Sequence, residues 1–167
     1  MLVDWRSHVL IKMDHVSITV QNVDRSVKFY SEALGMKLLR ISVLNPSPDT
    51  KYRNAYMYSG ALTLEIITAT EDAQQAEQTE TWQQTLRGKM GITHLGVRVS
   101  DLDAAIRRMK SAGAKMIGEP FAINRDSFEN TYVAKNMDRK VSYIKRPGKR
   151  IAVFSGPDGE IIELAER

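Results

Sequence analysis

Residues 12 to 20 alternate. Asp14, Val16, Ile18 and Val20 fall on one side of an extended chain, and Met13, His15, Ser17 and Thr19 on the other. A period of two predicts a strand with one apolar face and one mostly polar face. Beyond it Val27, Tyr30, Ala33 and Leu34 recur at helical spacing, with Asp24 placed to cap the helix and Gly35 to end it. Met36 to Leu44 predicts a second strand, and Asn45-Pro46-Ser47-Pro48-Asp49 a turn. Residues 51 to 59 and 61 to 69 then predict a hairpin about Ser59-Gly60. The order is β-α-β-β-β.

The same order recurs. Met13-Asp14-His15-Val16-Ser17-Ile18-Thr19-Val20 is answered by Ile92-Thr93-His94-Leu95-Gly96-Val97-Arg98-Val99. Asn22-Val23-Asp24 and a helical run to Gly35 are answered by Asp101-Leu102-Asp103 and a run to Gly113. The second half predicts a strand at 91 to 99, a helix at 102 to 112, a short strand near 114 to 118 and a closing hairpin at 150 to 164. That hairpin turns on Gly156-Pro157-Asp158-Gly159. The fold class is therefore α+β: a βαβββ module at 12 to 70, a partly helical linker at 71 to 89, and a second βαβββ module at 90 to 167. His15 to Glu65 spans 50 positions and His94 to Glu163 spans 69. The excess is an insertion at about 119 to 150, rich in Asn, Asp, Lys and Arg, read equally well as a lid or oligomer contact or as a surface excursion.

The 43% apolar content of these 167 residues is enough for a packed interior. Cysteine is absent, which removes disulfides, thiolate ligands and a cysteine nucleophile. Residues 1 to 12 carry Asp4, Arg6 and His8 among their apolar positions, so no signal-peptide core is expected. No run reaches the roughly 20 apolar residues of a membrane span. A cytoplasmic location and no membrane partner are the expectations. The net charge of +4 gathers at Arg139-Lys140, Lys145-Arg146 and Lys149-Arg150, without the aromatic or groove-reading residues of a nucleic-acid surface. It suits a solvated loop or a mild attraction for an anionic small-molecule substrate.

Each half ends on an apolar strand with one acid inside it, Leu62-Thr63-Leu64-Glu65-Ile66-Ile67 and Glu160-Ile161-Ile162-Glu163-Leu164. A lone strand His is usually structural and a lone strand Glu usually faces water. Glu65 and Glu163 resist that explanation, because an ionised carboxylate among Leu and Ile is costly without a cation or a dense set of hydrogen bonds. Duplication strengthens the case. His15, Glu65, His94 and Glu163 recur at first-strand and last-strand positions of both halves, as two half-sites of one metal centre. Two imidazoles and two carboxylates suit a borderline divalent ion (Ni, Zn, Co or Fe) and leave positions open for water or substrate. A closed structural zinc site more often uses cysteine.

With these four residues in place, the chain resembles the vicinal-oxygen-chelate superfamily, and within it the glyoxalase I (lactoylglutathione lyase) group. The resemblance runs from Lys12 to Glu166. It is carried by His15-Val-Ser-Ile-Thr-Val, Asp24-Arg-Ser-Val-Lys-Phe-Tyr30, Leu34-Gly-Met-Lys-Leu-Leu-Arg40, Leu64-Glu65, His94-Leu-Gly-Val-Arg-Val, Asp101-Leu-Asp103 and Gly156-Pro-Asp-Gly-Glu-Ile-Ile-Glu163-Leu. It implies curved mixed sheets around a metal cleft, with His15, Glu65, His94 and Glu163 on the metal. It further implies that Glu163 is the catalytic base, with Glu65 its partner across the site. The reaction implied moves a proton between adjacent carbons of a hemithioacetal through an enediolate. A homodimer is expected, since module pairing leaves sheet edges to cover and members can exchange modules between protomers.

The resemblance has gaps. Where bacterial glyoxalase I carries an Arg four residues after the first His and an Asn four after the first Glu, both used for glutathione, this chain has Thr19 and Ala69. Arg98, four residues after the second His, is the candidate substitute for substrate binding; its alternative is a structural or surface role. Methylmalonyl-CoA epimerase shares the fold but typically has Gln at the position of Glu65. A ring-cleaving Fe(II) dioxygenase needs further His and Tyr residues, and the only other histidine is His8. Fosfomycin-type thiol transferases use His-His-Glu and would not need Glu65 on the metal. Non-enzymatic binding members lack the metal ligands.

Overall fold

Alternation turns into strand where the pattern asks for it. In the computed structural model, which describes residues 14–47, 50–60, 62–68, 92–122 and 149–166, β1 spans Val16–Val20. Val20 is buried while Ser17 and Thr19 are exposed. Helix α1 follows at Val23–Leu34. Its N-cap is Asn22, not the expected Asp24: Asn22 is extended (φ −140°) and its Oδ1 accepts from the Arg25 N–H at 2.9 Å. Asp24 lies in the first turn instead, where a carboxylate suits the positive end of the helix dipole. Gly35, at φ 68°, takes the left-handed conformation that ends the helix. The buried stripe is Val23, Ser26, Phe29, Tyr30 and Ala33; Val27 and Leu34 are only half-buried.

Strand β2 spans Lys37–Ser47, so it runs through Asn45-Pro46-Ser47, where the sequence predicted a turn. The sheet order explains why this is tolerated. Among the described residues β2 is an edge strand that pairs only with β3 (Thr50–Tyr58), and its register slips between Leu44 and Ser47. A proline, which has no N–H to donate, is accommodated at an edge or an irregularity. β3 turns through Ser59 and Gly60 into β4 (Thr63–Thr68), with the Ser59 N–H donating to the Leu62 carbonyl at 3.1 Å. The sheet order is β1-β4-β3-β2, with β1 parallel to β4 and the other pairs antiparallel.

The second module repeats this plan. Its elements are β5 (Leu95–Val99), α2 (Leu102–Ser111), β6 (Lys115–Met116), β7 (Phe121–Ala122), β8 (Arg150–Ser155) and β9 (Ile161–Glu166). Asp101 caps α2 by accepting from the Ala104 N–H at 2.8 Å, the counterpart of Asn22. The order β5-β9-β8-β6 matches the first sheet, with β5 parallel to β9. β7 was not predicted. It lies at the start of the insertion and pairs with β8. The remainder of the insertion at 123–148 and the predicted linker lie outside the described residues, as do Met13 and Lys12. The predicted turn at Gly156 to Gly159 is present, closed by the Gly156 N–H on the Glu160 carbonyl at 2.9 Å and with Gly159 at φ 86°.

Contacts divide the chain into two compact units, one with β1 to β4 and most of α1, the other with β5 to β9 and α2. Each has its own core. Ala55, Met57, Leu64 and Ile66 are fully buried in the first; Phe154, Ile162 and Leu164 in the second, where α2 packs on β8 and β9. Removing a side chain of this kind from water contributes about 1.5–3 kcal/mol. In the register of β3 and β4 these core residues point one way, which turns Asn54, Tyr56 and Glu65 to the opposite face.

The helices are tied to the sheets by the same device twice. Arg53 on β3 holds Asp24 in the first turn of α1, with two hydrogen bonds at 2.5 and 2.7 Å. Arg150 on β8 holds Asp103 in the first turn of α2, with both bonds at 3.1 Å, and also reaches Glu166 at 3.0 Å. The paired acids follow Asn22-Val23 and Asp101-Leu102, so the duplication preserves caps and tethers along with the strands.

Candidate metal centre

A strand-end histidine and a mid-strand acid meet in each unit. β1 and β4 run parallel with Ser17 beside Glu65, so His15, two residues before Ser17, lies on the same face as the acid. His15 Nε2 stands 3.5 Å from Glu65 Oε2. β5 and β9 repeat the register with Gly96 beside Glu163, and His94 Nε2 stands 4.0 Å from Glu163 Oε2. Glu65 is 8% exposed and Glu163 4%. The structure thus brings the four sequence-predicted residues together as two pairs, one per unit. Among the described residues no group of three or more His, Asp or Glu side chains is gathered to hold a metal ion.

The residue before each histidine holds its other ring nitrogen. Asp14 Oδ2 lies 3.0 Å from His15 Nδ1, and Thr93 Oγ1 lies 2.9 Å from His94 Nδ1. An ionised carboxylate only accepts, so Asp14 takes its hydrogen bond from the Nδ1–H of His15; a metal on Nε2 would need the lone pair of the neutral imidazole there, beside Glu65. Outer partners on the far ring nitrogen are the usual support of a metal-binding imidazole. A lone pair and a carboxylate oxygen facing one another form a donor set that a divalent cation satisfies. The residues present therefore fit a divalent metal.

The surroundings of the two acids differ. Asn54 Nδ2 donates to Glu65 Oε1 at 2.8 Å, and Ser42 Oγ donates to Asn54 Oδ1 at 2.7 Å. Burial pushes the Glu65 carboxyl up, but hydrogen bonds with Asn54, Tyr56 and Ser17 and the nearby His15 outweigh it, holding the group below the usual carboxylate range. The bond to Glu65 in turn raises the Tyr56 phenol. The Tyr56 ring meets His15 edge-on at 5.7 Å and carries the Arg40 guanidinium over its face at 5.0 Å. Across the second sheet Glu163 stands between Gly96 and Val153. Beside it Ile117, Ile151 and Val153 form an apolar cluster joined by Ile161.

A sequence profile described as Glyoxalase/Bleomycin resistance protein/Dioxygenase superfamily matches residues 12–164. The chain belongs to that superfamily. The lactoylglutathione lyase of Haemophilus influenzae is 27% identical over 154 residues, covering 91% of this chain and 90% of its own length. A probable chloroplastic lactoylglutathione lyase of Arabidopsis thaliana is 27% identical over 167 residues; the chain covers 39% of that protein's length, as one part of a longer relative. The crystal structure of a glyoxalase family protein from Bacillus cereus superposes with a TM-score of 0.65 at 20% identity, covering 96% of each chain. The superfamily accounts for the two mixed sheets and few helices. Among the described residues no helix is long and apolar enough to cross a membrane.

Arg98 is exposed on β5, on the face of His94 and Gly96, and pairs in register with Ala165. Thr19 is exposed at the matching place on β1, and Ala69 lies outside the described residues. Sequence reasoning passed over Asn54, Tyr56 and Ser42. A signal for the first two was present: Ala55 and Met57 alternate with Asn54 and Tyr56, so one face of β3 is apolar and the other polar. That the polar face is shared with Glu65 depends on strand register, which the pattern leaves open.

Proposed function

We propose that this protein is a divalent-metal-dependent lyase or isomerase of the glyoxalase I type, acting on a small oxo–thiol adduct such as a hemithioacetal. The observation that supports it most is the repeated pair: one His nitrogen facing one Glu oxygen at 3.5 Å in one module and 4.0 Å in the other, on equivalent strands. His15, Glu65, His94 and Glu163 are the residues that would hold the ion (Ni, Zn, Co or Fe), and a homodimer is expected. When bound, the ion supplies electrostatic stabilisation of the charge that develops on the substrate's adjacent oxygens.

Glu163 is the base. It takes the proton from one carbon of the adduct, giving an enediolate, and returns it to the neighbouring carbon, while the hydroxyl proton passes to the adjacent oxygen; one C–H and one O–H bond break and one of each forms, with no change in composition. Glu163 is only 4% exposed, which limits the access of bulk water to it. Glu65, held in place by Asn54, is the second acid of the proposed ligand set. Arg98 would bind an anionic group of the thiol portion in place of the missing family residues. The enzyme is expected to work in the cytoplasm on a small molecule, without nucleic acid or membrane as partner.

The deciding experiment removes metal with a chelator, restores Ni, Zn, Co or Fe(II) one at a time, and follows hemithioacetal isomerisation with elemental analysis of each preparation. Stoichiometric metal and metal-dependent turnover are expected. A metal-loaded protein that converts no hemithioacetal would overturn the assignment. For Arg98, an unchanged KM for the anionic adduct in Arg98→Ala would remove that role.

A further inference from the structure

The fully buried Asn54 sits at the middle of a three-residue chain, from Ser42 on β2 through Asn54 on β3 to Glu65 on β4, with donor–acceptor distances of 2.7 and 2.8 Å. The direction of this chain is dictated by its ends. An ionised carboxylate only accepts, so the Asn54 amide must turn its Nδ2 toward Glu65 Oε1. Its Oδ1 then faces β2 and needs a donor, which the Ser42 hydroxyl supplies. Neighbouring strands hold all three in register, Ser42 opposite Asn54 and Tyr56 opposite Glu65. With Oε1 engaged, Oε2 is the oxygen presented to His15 Nε2.

We propose that Asn54, oriented by Ser42, is a positioning residue that fixes the Glu65 carboxylate with Oε2 turned to His15, so that this half of the metal centre is assembled before metal arrives. The matched positions of the second module carry other residues. The residue paired with Glu163 is Val153 where Glu65 has Tyr56, and the position matching Asn54 is Ile151. The two acids therefore have different residues at these matched positions. The inference rests on Glu65 being a metal ligand, as proposed above.

The test uses the full chain stripped of metal and titrated with Co(II) against a chromophoric chelator, with the Co(II) visible absorption recorded for each variant. Circular dichroism at the titration temperature shows which variants are folded. Asn54→Leu is expected to weaken Co(II) binding about 10–100-fold and to alter the absorption band, the range typical of lost outer partners. Ser42→Ala should move both readouts the same way by less. Because Ser42 acts through Asn54, the double variant should match Asn54→Leu alone. Glu65→Ala separates the two readings. If it loses Co(II) affinity while folded Asn54→Leu and Ser42→Ala keep the wild-type value and spectrum, the positioning role is overturned and the ligand role stands. If Glu65→Ala itself binds Co(II) like the wild type, the ligand role fails. Should Asn54→Leu not fold, Ser42→Ala decides: wild-type affinity and spectrum there overturn the positioning role.

Discussion

Glu163 stands directly across the sheet from Val153, a residue whose side chain has no hydrogen-bonding group, in the place where Glu65 faces Tyr56. Two acids at equivalent positions of a duplicated fold thus meet unlike surroundings. Glu163→Gln should lower kcat about 100- to 10,000-fold, the usual span for loss of a general base. Glu65→Gln should act chiefly on metal affinity, through the lost charge. Steady-state kinetics beside metal titration of both variants checks the split. Equal effects of the two on both measurements would contradict it.

The histidines make the same contact from the two modules. His15→Ala and His94→Ala should each reduce bound metal below one equivalent, measured by elemental analysis after gel filtration. Asp14→Asn should weaken binding less than His15→Ala, since it alters only the partner of Nδ1. Full metal occupancy in both alanine variants would count against a shared centre.

The paired tethers set the response to acid. Bonds from Arg53 hold the Asp24 carboxyl below its ordinary value of 3.8, and bonds from Arg150 do the same for Asp103 from 3.8 and for Glu166 from 4.5. A carboxyl depressed by folding stabilises the folded state fully above its ordinary value, and that contribution is lost as pH falls through the lowered one. Tm should therefore drop on acidification below about pH 4.5, where unfolded carboxyls begin to take up protons. Arg53→Met and Arg150→Met should flatten that acid limb. Since Asp24 and Asp103 are well exposed and Glu166 partly so, added salt should flatten it too. Thermal melts across pH 2 to 7 at two salt concentrations read both effects.

The cores give a separate measure of stability. Leu64 and Leu164 are fully buried on the strands that carry Glu65 and Glu163. Leu64→Ala and Leu164→Ala should each cost about 2–5 kcal/mol in urea unfolding, through lost burial and the cavity left behind. A cost near zero would mean the strand does not pack as described.

Much of this was legible in the chain. Alternation about Val16, Ile18 and Val20, helical spacing about Tyr30, the Gly156-Pro157-Asp158-Gly159 turn and the repeat of His and Glu are local or periodic signals. They report which face of an element must be dry. That the first and last strands of each module are parallel neighbours, which sets each His beside its Glu, came from the sheet pairing.

Other features depended on partners far away in sequence. Asn22 rather than Asp24 caps α1 because Asp24 is taken by Arg53, 29 residues on. β2 continues into the predicted turn because it lies at a sheet edge, where among the described residues Pro46 faces no second strand. The sequence by itself determined the α+β class and the repeated strand–helix order, and it singled out His15, Glu65, His94 and Glu163 as candidates, since these follow from period and residue type. Only the tertiary structure decided that Glu65 is held by Asn54 and Ser42 while Glu163 lies beside Val153. That difference is made by strand register, and a shift of one residue would turn every one of these side chains to the opposite face.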